Sequence, residues 1–140
     1  MNPPKAADEN PGSERRENGA RPAVATTAAT ARRTVSELLK KAGISLDSVT
    51  AADALLVTSE LVTNAIRHGG GITLFRTTIA DDALHLTVGD ANSHPPTLRS
   101  TAYDSPGGFG WPLIQRLTER IDITTLPTGG KIIATVQRLN

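Results

Sequence analysis

The chain of 140 residues has no cysteine. That excludes a disulfide framework, a thiolate metal site and a cysteine nucleophile, and three scattered histidines argue against zinc. A charge excess is also lacking. Lys plus Arg (15) and Asp plus Glu (14) leave a formal net charge of +1, so nothing marks a direct nucleic-acid partner or an anionic membrane surface. Apolar runs end after four or five residues, against the roughly 20 that a membrane span needs, and residues 1–22 lack the apolar stretch of an export signal. A cytoplasmic protein without membrane contact is the expectation. Aromatics make up only 3% of the chain: Phe75, Tyr103, Phe109 and Trp111. The core is therefore expected to be aliphatic and alanine-rich, and three of the four aromatics fall in or beside residues 91–111.

The length suits one domain. Residues 1–22 combine prolines, Gly12, Gly19 and interleaved charges with almost no apolar side chains, which predicts a disordered N-terminal tail. Residues 23–140 have folded-domain patterning. Val24, Ala28, Ala31, Val35, Leu38 and Ala42 repeat at helical spacing, with Lys40 and Lys41 before Gly43. A second helix is predicted from a Thr50 cap with Asp53 at its third position, with Ala54, Leu55, Leu61, Val62, Ala65 and Ile66 as its apolar stripe and Gly69-Gly70-Gly71 as its stop. Residues 72–79 are rich in β-branched side chains. Asp81-Asp82 marks a turn, and Leu84, Leu86 and Val88 alternate with polar neighbours, so the pair reads as a hairpin. Residues 91–108 read as a long loop, Pro112 to Leu117 as a short helix, and 121–126 with 131–139 as two more strands around Pro127-Thr128-Gly129-Gly130. Helices between hairpins predict an α/β two-layer sandwich, a mixed and mostly antiparallel sheet covered on one face by about three helices.

Three sets of residues are candidates for chemistry. At about 100° per residue, Glu60, Asn64, Arg67 and His68 share one side of the second helix, with the apolar stripe on the opposite side. They read either as a solvated face, or as a carboxylate base and an amide ligand one turn apart, with oxygen chemistry suited to Mg²⁺. Asp90 has the parity of Leu84, Leu86 and Val88, so it points inward at a strand end. It either caps the following loop or accepts from a ligand's amino group. Gly107-Gly108-Phe109-Gly110 precedes a helix, where glycine permits close backbone approach and helix amides can meet an anion. Gly129-Gly130 is explained by a hairpin turn alone.

Taken together, Glu60-Leu61-Val62-Thr63-Asn64-Ala65-Ile66-Arg67-His68 closely resembles the N box of the histidine-kinase-like (GHKL, or Bergerat-fold) ATPases, in particular the anti-sigma-factor serine/threonine kinase branch. Asp90 falls at the place of that family's first glycine box, Gly108-Phe109-Gly110 at the second, and Gly129-Gly130 at the third. The first box here reads Asp90-Ala91-Asn92-Ser93-His94 without its usual glycines, and Asn92 is a candidate to replace one of them in a left-handed conformation. The usual threonine after the third glycine pair is Ile132. The resemblance covers residues 23–140.

It implies an ATP site between helices and sheet under a mobile lid. Asn64 would hold Mg²⁺, Asp90 would accept from the adenine amino group, and Glu60 would act on the attacking hydroxyl. Arg67, His68, Gly108 and Gly110 would complete the ATP-binding set, with Arg67 or Arg99 offsetting phosphoryl charge. It implies as partners a sigma factor and an anti-sigma-factor antagonist protein, and a homodimer with the first helix as a partner surface. The altered first box and Ile132 support an alternative: a non-catalytic or weakly ATP-binding switch that sequesters a protein. Tyr103, Phe109 and Trp111 would belong to the lid, either folding onto nucleotide or tethering it to the core.

Overall fold

A computed structural model of the protein describes residues 26–94 and 110–140. The proposed tail, Gly108 with the rest of the second glycine box up to Phe109, Arg99 and Tyr103 lie outside the described residues. Among the described residues, three helices and four strands follow in the order α1 (Ala28–Lys41), α2 (Val49–His68), β1 (Ile72–Ala80), β2 (Ala83–Asp90), α3 (Gly110–Leu117), β3 (Arg120–Thr125) and β4 (Lys131–Arg138). The strands form one open sheet, β1-β2-β4-β3, antiparallel at every pairing. The architecture is the predicted α/β sandwich, with no parallel component in the described sheet.

Local chemistry explains the boundaries. Thr27 caps α1 by a reciprocal exchange: its hydroxyl accepts from the Thr30 amide at 3.1 Å while Thr30 Oγ1 accepts from the Thr27 amide at 2.9 Å. The helix therefore begins four residues after Val24, which lies outside the described residues. Its end has paired return bonds, Gly43 N to Lys40 O and Ile44 N to Leu39 O, around Gly43 at φ +81°, the geometry that glycine adopts without steric cost. Leu39 rather than Leu38 is the fully buried leucine.

The α2 start corrects the sequence reading. Ser48, not Thr50, is the cap, accepting from the Ala51 amide at 3.1 Å while donating to the Ser45 carbonyl at 2.6 Å. Two serines three residues apart lock the turn before Thr50 is reached, so the helix begins earlier. Asp81 and Asp82, at φ +54° and +58°, form the two-residue turn between β1 and β2, where left-handed residues match the strand twist.

By length and composition α2 passes for a membrane-crossing helix. Its buried stripe of Ala51, Ala54, Val57, Leu61, Val62 and Ala65 instead lies within the core, with α1, α3 and the sheet packed around the helix. Ile66, expected in that stripe, is 48% exposed. Beneath α2, β2 contributes Leu84, Leu86 and Val88, and Ile114 of α3 seals one side. Burial of this apolar set, each large side chain contributing about 1.5–3 kcal/mol, is the main term holding the layers together. Trp111 belongs to the same cluster. At least this aromatic is a core residue that anchors the start of α3, and Phe75 packs on the core from β1. Phe109 lies outside the described residues.

Candidate functional site

The C-terminal turns of α2 meet the adjoining ends of β2 and β4, and the predicted residues divide between two zones there. The first surrounds Asp90, which is 5% exposed. Asp90 faces the helices as its parity predicts, and so does its register partner Lys131 on β4. Lys131 Nζ lies 3.1 Å from Asp90 Oδ1 and 3.0 Å from Oδ2, and it also donates to the Asn92 carbonyl at 3.0 Å. The donor that a buried carboxylate requires is thus partly supplied from within the chain.

The backbone closes tightly around this pair. A Cβ on Gly69, the α2 cap, would fall 2.5 Å from Asp90 Cγ, and one on Gly130 would collide with the Asp90 carbonyl. Gly130 also sits at φ +88°. The third glycine pair therefore does more than turn a hairpin, since it lets β4 begin against the end of β2. Asn92 is not in a left-handed conformation, because among the described non-glycine residues only Asp81 and Asp82 have positive φ. Its polar groups are instead used in a local turn. Its amide donates to Asp90 Oδ1 at 2.9 Å, its Oδ1 accepts from the His94 amide at 2.9 Å, and its Nδ2 donates to the His68 carbonyl at 2.8 Å. This is an Asx turn tied to a helix end, an alternative that a short amide side chain offers. The Gly130 amide donates to Ser93 Oγ at 3.0 Å, and the Ala91 amide to the Gly69 carbonyl at 2.8 Å, joining the first and third boxes to α2.

The second zone is the flank of α2. Glu60 and Asn64, four residues apart, are both half-buried, whereas Arg67 and His68 are exposed. The apolar stripe is not opposite these polar groups as expected. With Val57 and Ala65 buried, the stripe centre lies only about 90° around the helix from Asn64, so Glu60 and Asn64 sit at the margin between core and solvent. That position has a chemical consequence. Glu60 Oε1 is shut off from solvent and has no hydrogen-bond partner among the described residues. Burial raises the Glu60 carboxyl above the usual glutamate range, with the positive charge of Arg67 pulling partly the other way. A buried acceptor without a donor is costly in a fold, and a carboxyl with raised proton affinity is the type of group that serves as a general base near neutral pH.

The site residues thus fall into place unequally. Asp90 and Gly130 converge with the last residues of α2; Asn64 and Glu60 lie about one and two turns further back, respectively, on the same helix. His68 contributes its carbonyl, while its exposed ring touches neither box through any hydrogen bond among the described residues. Gly110 opens α3, which packs on α2. Among the described residues no group of three or more His, Cys, Asp or Glu side chains is placed to hold a metal ion. Lys131 was missed from the sequence. Its signal was the strict alternation Lys131, Ile133, Thr135, Gln137, a half-polar series that resembles a solvent face and is in fact the buried one.

The family model described as a histidine kinase-like ATPase domain matches residues 21–136. Among solved structures, the chain is similar to a blue-light activated histidine kinase from Erythrobacter litoralis, with 25% identity over 64% of this chain and 30% of that one, at a TM-score of 0.46. It is also similar to a histidine kinase domain from the same protein, with 22% identity over 80% of this chain and 64% of that one, at a TM-score of 0.48. The chain therefore spans less than two thirds of either structure. No curated protein matches the sequence significantly.

Proposed function

Because the chain belongs to the histidine kinase-like ATPase domain family, we propose that it binds ATP with Mg²⁺ and transfers the γ-phosphoryl group to a serine or threonine of an antagonist protein, while sequestering a sigma factor. The observation that carries this reading is Glu60: a carboxylate oxygen without a partner, a raised proton affinity, and Asn64 one helical turn away. Glu60 would accept the hydroxyl proton as the substrate oxygen bonds to the γ-phosphorus and ADP leaves. Asn64 would ligate Mg²⁺, which supplies charge neutralisation at the phosphates. Asp90 would accept from the nucleobase, and the start of α3, with Gly108 and Gly110, would approach the phosphates. Arg67 and His68 lie beside this path. On this reading the protein is cytoplasmic, works as a homodimer, and contacts neither nucleic acid nor membrane.

The experiment is phosphoryl transfer from labelled Mg-ATP to candidate antagonist domains by wild type and Glu60→Ala. Transfer by wild type and its loss in the variant support the kinase. Equal behaviour of the two proteins removes it.

A second reading is favoured by the Asp90–Lys131 pair. If the seat for the nucleobase is already occupied by an internal cation, the domain acts as a weakly nucleotide-binding switch that captures a protein partner. Capture of a sigma factor without detectable ATP binding in calorimetry would select it.

A further inference from the structure

Asp90 and Lys131 face each other across the β2–β4 ladder with side chains 5% and 6% exposed. An ammonium has three N–H donors, and Lys131 has three oxygens in reach: both Asp90 oxygens and the Asn92 carbonyl. Each carboxylate oxygen accepts about two hydrogen bonds. Oδ1 accepts from Lys131 and from the Asn92 amide, while Oδ2, 3.0 Å from Nζ in the ion pair, keeps an acceptor position for a ligand. A polar site rejects an analogue that lacks a hydrogen-bonding group when the loss strands a buried partner. Asp90 would not be stranded, because Lys131 compensates it with or without a ligand. An analogue bearing oxygen in place of an amino group would meet an ammonium beside the carboxylate rather than a carboxylate alone.

We propose that Lys131 is a specificity-determining residue that relaxes base selection, so that 6-amino and 6-oxo purine nucleoside triphosphates bind with similar affinity. The inference rests on the reading that Asp90 faces the nucleobase of a bound nucleotide. Lys131 acts through Asp90 and not on the phosphates, so its effect is confined to the ratio between bases.

The test is calorimetric titration of the full chain with Mg-ATP and with Mg-ITP, in which a 6-oxo group replaces the amino group. Wild type is expected to bind the two within about tenfold of each other. Lys131→Met, which bares the carboxylate, is expected to widen the preference for ATP to about 100-fold. Adding Asp90→Asn to that variant should return the ratio to within about tenfold. A folded Lys131→Met protein with the wild-type ratio overturns the assignment while leaving the ATP reading intact. So does a wild-type preference for ATP of about 100-fold, which needs no variant and decides the matter if Lys131→Met does not fold. If neither nucleotide binds wild type or the double variant, the ATP reading falls and this assignment with it.

Discussion

The two ends of the candidate site are built on opposite principles. Around Asp90, glycines at positions 69 and 130 admit close backbone contact, a lysine neutralises the carboxylate, Asn92 ties the end of β2 to α2, and Ser93 ties it to the start of β4. Around Glu60 and Asn64 a single helix face supplies both groups, and one Glu60 oxygen has no partner among the described residues. A satisfied, interlocked polar cluster favours one geometry, whereas an unsatisfied group retains the capacity to react or to bind. The Asp90 end is therefore expected to respond to substitution strongly in stability as well as in base selection, and the Glu60 end in ligand binding and transfer with little change in stability.

The largest test of that contrast is Lys131→Met. Leaving Asp90 buried without its cation is expected to cost about 3–5 kcal/mol in denaturant unfolding, and the neutral pair Asp90→Asn with Lys131→Met should recover most of it. A cost under about 1 kcal/mol would break the contrast. Next comes Gly130→Ala, expected to cost about 3 kcal/mol from left-handed strain and overpacking against the Asp90 carbonyl. Gly129→Ala is its control, since Gly129 at φ +101° has open space around its Cβ position; strain alone should cost about 1–2 kcal/mol.

At the other end, Asn64→Ala is expected to weaken Mg-ATP binding about 10–100-fold in calorimetry, as loss of a contact to a charged group would. Its unfolding free energy should stay within about 1 kcal/mol of wild type. The smallest effect is Glu60→Gln. The folded state holds the Glu60 proton more tightly than the unfolded chain does, so the ionised form is penalised once pH rises through the folded pKa. The amide removes that penalty and should raise the melting temperature by about 2 °C at neutral pH, with the gain vanishing below the ordinary glutamate range. A gain that grew on acidification would contradict the burial assignment.

Much of the fold was legible because its signals are local. The alternation of Leu84, Leu86 and Val88, the turn at Asp81-Asp82 and the stops at Gly43 and Gly69 each depend on neighbours within a few residues. The N box could be placed on a helix for the same reason, and Asp90 turned inward because strand parity is strict. Local signals failed where two caps competed, as at Ser48 and Thr50, and where apolar spacing left a choice of face, as with Ile66.

The sequence by itself determined which groups are present and which side of each element they share: Glu60 one turn from Asn64 on α2, and Asp90 inward on β2. Only the tertiary structure decided their company. Lys131 is 41 residues from Asp90 along the chain, and nothing in its immediate neighbours distinguishes a buried lysine from an exposed one. The β2–β4 pairing makes them partners, and neighbours within a few residues do not reveal that these two strands, separated along the chain by α3 and β3, lie side by side in the sheet. The same pairing brings Gly130 against the Asp90 carbonyl, turning what reads locally as a hairpin turn into part of the packed Asp90 cluster.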